Sequence, residues 1–253
     1  MKLNRLLPLF IPLVIYTLDE MYFFYPKLIY AAAILINLLI FFAVWQFCAV
    51  SQVDKQWWNY LILPAVMSAA VVAYSVFLSS KLIIQLLFVS NLVFLYFYSR
   101  HIYYYLLNPS AYEVFSIENI SSYINWLSFF LISATIYGLQ SFLNLPIFRL
   151  ALILLAATAL IVYQIIWVNK IELEKGLPYI LISCLILVEL CWAISFLPFN
   201  YNISGLSLAI CFYVVIGLIK NNLLDKLDVK KVRMYLIIGS ASLFLILFTA
   251  KWI

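Results

Sequence analysis

A few polar residues stand where the chain is otherwise apolar, and their types and spacing define the chemistry open to it. Glu189 lies within CLILVELCWAISF, residues 184–196, and the positions three and four away are Leu185, Ile186, Trp192 and Ala193. Its own helix therefore offers it no polar neighbour. Asn37 and Asn91 stand in two other apolar stretches at similar expected depth. A protonated Glu189 that donates to one amide and accepts from the other would tie three helices together. The same three groups around water would instead make a proton relay or a cation site.

Asp19 and Glu20 form the second candidate, an adjacent pair of acids near the end of the first apolar run. At the outer surface they read either as interfacial acids that close the run or as an acid or base acting on a lipid-linked substrate. Consecutive helical residues point about 100° apart, so only one of the two can face a given site.

Other chemistries are excluded by the inventory. His101 is the single histidine, which removes sites built on two or more imidazoles, including zinc proteases and His-rich di-iron centres. Cys48, Cys184, Cys191 and Cys211 all lie inside apolar segments without C-x-x-C spacing, so they read as small hydrophobes and not as a metal or disulfide framework. P-loop, G-x-S-x-G, H-E-x-x-H and paired Asp-rich motifs are all missing. No catalytic residue is assigned, and neither a metal nor a cofactor is expected.

What positions these groups follows from composition. The chain has 253 residues, of which 68% are hydrophobic and 10% charged, against about 25% charge in soluble domains. It must use lipid as its solvent. Twenty Phe and 19 Tyr against 5 Gly describe bulky helices and not the alternating strands of an outer-membrane barrel. The fold class is an all-α polytopic transmembrane bundle.

A spanning helix needs roughly 20 apolar residues. Cutting at charged and turn-rich breaks gives nine spans in one integral membrane domain: 6–25, 28–48, 57–79, 82–99, 122–140, 150–168, 178–198, 204–219 and 234–250. Counting Lys and Arg on alternate sides places eleven on the side of the N-terminus (Lys2, Arg5, Lys55, Arg100, Lys170, Lys175, Lys220, Lys226, Lys230, Lys231, Arg233) and four opposite (Lys27, Lys81, Arg149, Lys251). By the positive-inside rule the N-terminus is cytoplasmic and the C-terminus outside.

The first span is the weak one, because only residues 6–18 are uninterrupted before the two acids. Either the helix continues to Tyr25 with the acids facing protein or water, or Pro8 and Pro12 mark a bent, partly re-entrant segment. Pro64 in the third span frees the carbonyl of Tyr60. Aromatic groups at Trp57, Trp58 and Tyr60, at Tyr103, Tyr104 and Tyr105, and at Tyr123 and Trp126 read as headgroup belts. Ser110-Ala-Tyr-Glu113 has capping-box spacing for a short surface helix. The loop carrying Lys220, Lys226, Lys230, Lys231 and Arg233 is a topology signal that also suits anionic lipid headgroups. Membrane lipids, and other membrane subunits, are the expected partners; the net charge of +5 implies nothing about nucleic acid. With no organellar targeting segment in view, a bacterial cytoplasmic membrane is the expected location.

Three functional classes follow. First stands a non-catalytic scaffold or subunit of a membrane assembly, because so few polar groups converge. Second is a transporter of a small solute, proton or lipid lined by Glu189, Asn37 and Asn91, and third an enzyme on a lipid-linked substrate using Asp19 or Glu20.

Overall fold

The computed structural model describes residues 2–51 and 57–250, the first four of these by backbone alone. Lys55 and Lys251, two of the charges used for orientation, lie outside the described residues. The described residues form nine helices: α1 Lys2–Phe24, α2 Ile29–Ser51, α3 Trp58–Ser75, α4 Lys81–Leu107, α5 Ser116–Leu143, α6 Ile147–Val168, α7 Leu173–Ile194, α8 Tyr201–Leu223 and α9 Val229–Thr249. All nine are long and apolar enough to cross a membrane. Their outward faces carry large apolar side chains such as Phe10, Leu82, Phe148, Leu152 and Phe248, each more than half exposed, a surface suited to lipid and not to water.

Several boundaries differ from those the sequence suggests, with physical reasons. The first helix is a single uninterrupted 23-residue element, so Pro8 and Pro12 sit inside it and the acids lie within its last two turns. The helix thus continues through the acids, nearly to Tyr25, as the first alternative has it. Helix α4 runs 27 residues, about 40 Å, because residues 100–107 stay helical instead of starting a loop. There the Arg100 guanidinium bonds Tyr96 at 3.1 Å and Tyr104 at 3.2 Å and lies over both rings. Those tyrosines hold the charge against the C-terminal part of α4. The capping box at Ser110 does not form: Pro109–Ala111 is a single 3-10 turn in which Ser110 donates to the Asn108 side chain, and α5 starts at Ser116.

Contacts divide the chain into two compact units, residues 1–125 and 126–253. In the first, α1 packs on α4 and α2, and α3 packs on α2 and α4. Its core is Ile36, Phe47, Leu63, Met67, Phe88 and Tyr98, all at most 1% exposed. The Tyr60 carbonyl released by Pro64 accepts a buried hydrogen bond from the Tyr98 hydroxyl at 3.2 Å, so the proline leaves no orphan there. In the second unit α6 packs on α7, α7 on α8 and α8 on α9. Phe129 of α5 stacks on Phe212 of α8 with centroids 4.1 Å apart, and the Trp126 indole donates to the Ala209 carbonyl at 3.2 Å.

Candidate functional site

The polar residues that the fold brings together are at the α1–α4 contact. Asp19 is completely buried, although it is charged in character and sits in an apolar bundle. Its Oδ2 accepts from the Asn91 side-chain amide of α4 at 3.3 Å. One residue on, Glu20 accepts from the Gln85 amide at 3.0 Å, and the Tyr16 hydroxyl, one turn earlier on α1, donates to Gln85 Oε1 at 3.4 Å.

Helix geometry explains how adjacent acids both reach α4. Asp19 and Glu20 point about 100° apart, and Gln85 and Asn91, six residues apart, point about 120° apart with a rise of about 9 Å. Each acid therefore meets its own amide on its own flank. Phe88, midway between the amides, is fully buried and packs edge-on against Tyr22 at 5.5 Å and Phe23 at 6.4 Å. Tyr22 also lies 3.1 Å from Ser75 Oγ of α3; since Ser75 already donates to the Val72 carbonyl at 2.8 Å, Tyr22 is the donor. Polar groups of α1 are thus joined to both α3 and α4.

The pairing is incomplete. Asp19 Oδ1, Glu20 Oε1 and Asn91 Oδ1 are buried and have no hydrogen-bond partner among the described residues. No Lys, Arg or His pairs with either acid among those residues. Each of these oxygens is a buried acceptor with no donor on it among the described residues. Such a group calls for a proton, a cation or an ordered water. At the surface, by contrast, exposed Glu172 has Lys175 at 2.8 Å, whose hydrogen bond and charge hold that carboxyl below the ordinary range.

The constellation expected around Glu189 is not assembled. Helix α7 runs 173–194 and not 178–198, so Glu189 is five residues, about 8 Å, from its C-terminal end. It is exposed and makes no hydrogen bond among the described residues. Asn91 is taken by Asp19, and the half-buried Asn37 donates to Ala33 O of its own helix at 2.8 Å. Asp19 lies five residues before the end of α1 at Phe24 and is buried within the bundle. The Arg149 guanidinium lies over the Phe148 ring.

Lys220, Lys226, Lys230, Lys231 and Arg233 surround an ordered turn between α8 and α9. Lys231 donates to the Lys226 carbonyl at 2.7 Å and to Asn221 Oδ1 at 3.4 Å, while Lys226, Lys230 and Arg233 are exposed. Gln85, Tyr16, Tyr22 and Ser75 were not singled out by sequence. The available signal was an amide, Gln85, one turn into a spanning helix, and a tyrosine one turn from Glu20.

Residues 23–249 match the family described as Protein of unknown function (DUF5656). The match begins just after Tyr22, so it takes in Gln85, Asn91 and Ser75 but not the two acids. No curated protein and no solved structure matches the chain. The chain belongs to the family DUF5656.

Proposed function

We propose that this DUF5656 member is a small membrane transporter that binds a proton, or a monovalent cation in its place, at Asp19. One observation carries the reading: a fully buried carboxyl in a membrane helix has one oxygen on Asn91, the other unpartnered, and no basic residue against it among the described residues. Acids inside spanning helices are costly, and they mark ion and proton pathways. Asn91 holds the carboxyl in place, and the free oxygen is the atom that takes the proton. Glu20, with its own free oxygen one residue away, is the next group along α1 able to exchange it. We further propose nine crossings with the N-terminus cytoplasmic and the C-terminus outside, from the eleven-to-four charge count. The membrane is a bacterial cytoplasmic one, and the basic α8–α9 turn rests on its anionic headgroups.

The test is proton flux into vesicles of phosphatidylcholine holding a pH-sensitive dye, driven by a potassium diffusion potential. Wild type and Glu189→Gln should acidify alike, and Asp19→Asn should not, while eluting as a folded species. A second reading, a non-catalytic scaffold, draws on the same bonds: Asn91–Asp19, Gln85–Glu20 and Tyr22–Ser75 all join different helices. Absence of flux in wild type, with Asp19→Asn losing only stability, would sink the transporter and leave the scaffold.

A further inference from the structure

The second unit holds a pocket of about 400 Å³ at the end where α5 and α7 finish and α6 and α8 begin, within the range of about 300–1,000 Å³ usual for small-molecule sites. Its lining includes Tyr137, Gln140, Ser141, Asn144, Ser195 and Ser204, and no lining residue is charged. Gln140, Ser141, Asn144 and Ser204 make no side-chain hydrogen bond among the described residues, and Ser204 is only 3% exposed. Tyr137 and Ser195 donate to the carbonyls of Cys191 and Trp192 at 3.0 and 2.6 Å, which leaves their oxygens free to accept.

So concentrated a set of neutral donors and acceptors is out of place in a chain that is 68% hydrophobic. Its chemistry is selective. The lining has neither the Lys or Arg that pairs with an anion nor the carboxylate that holds a divalent cation. A ligand whose every polar group both donates and accepts suits hydroxyl and amide side chains. Leu197 and Phe199 on another part of the wall offer apolar surface to the C–H face of a ring.

We infer that this pocket binds a neutral polyhydroxyl group, that is, a sugar. The proposal is independent of the acids of the first unit. The sugar comes either from a glycolipid headgroup, which the position at the helix ends favours, or from the aqueous phase.

The full chain in phosphatidylcholine nanodiscs, free of sugar detergents, would be titrated with maltose and, separately, prepared with increasing diglucosyl diacylglycerol. Binding would be read by saturation-transfer NMR and native mass spectrometry. Saturable binding of either probe is expected, with the glycolipid alone retained if the source is lipid and maltose alone if it is soluble. Asn144→Ala, at an exposed turn, and Ser204→Ala, nearly isosteric, should each weaken it about 10-fold, the equivalent of one lost hydrogen bond. Asn37→Ala in the first unit should leave it unchanged. Failure of both probes, equal binding by the two pocket variants, or stronger retention of phosphatidylglycerol or inorganic phosphate would overturn the assignment.

Discussion

Side-chain hydrogen bonds join helices in both units, but the two differ in how closely their backbones approach and in whether the buried polar groups include acids. The first has no glycine at all; the five of the chain, Gly138, Gly176, Gly205, Gly217 and Gly239, all fall in the second. In the first unit, α1 is fastened by side-chain hydrogen bonds that two of its acids accept from α4 and that one of its tyrosines makes to α3. In the second, backbones come close: a Cβ built on Gly205 of α8 would stand 2.7 Å from the backbone of Ala134 in α5. Lipid provides no hydrophobic drive between helices, so small-residue contact and polar bonds are the two available adhesives. Both units bury polar side chains; in the first they include the carboxyl of Asp19, with one oxygen left unpartnered among the described residues, whereas in the second they are neutral hydroxyls and amides.

The contrast can be broken from either side, and the largest effect belongs to the second unit. Gly205→Val places carbon against backbone that cannot swing away, and we expect a loss of about 3 kcal/mol, read by steric-trapping unfolding in bicelles. In the first unit, Asn91→Leu strips Asp19 of its one partner and should cost about 1–2 kcal/mol in the same assay. Gln85→Leu, at a half-buried pair, should cost less, about 0.6 kcal/mol. At the end of the scale, Glu189→Leu should leave stability within about 0.5 kcal/mol of wild type, because Glu189 has no partner to lose. If Glu189→Leu matched Asn91→Leu, the division between a bonded acid and an exposed one would collapse.

Much of the fold was legible in the sequence, and the reason is physical. Length and hydropathy decide whether a helix can cross a bilayer, and both are local properties. The nine helices accordingly appear near their expected places. The Tyr60 carbonyl freed by Pro64 could be foreseen from backbone chemistry; that Tyr98 fills it could not. Facing is where local evidence ends. Asp19 and Glu189 are both acids in apolar helices, yet one is wholly buried and the other exposed. Depth along a helix is set by its boundaries, and extending α7 back to Leu173 moved Glu189 away from the middle. Orientation around a helix is set by what packs against it, which no spacing within α1 or α7 records. For the same reason the amide at position 91 was recognised but joined to the wrong acid.

Carboxyl infrared difference spectroscopy of the protein in lipid, comparing wild type with Asp19→Asn and Glu189→Gln, tests the central claim most directly. A protonated-carboxyl band that exchanges in heavy water, disappears in Asp19→Asn and persists in Glu189→Gln is the result expected of a proton held at Asp19. A band that survives Asp19→Asn and vanishes in Glu189→Gln, or no such band at all, would contradict it.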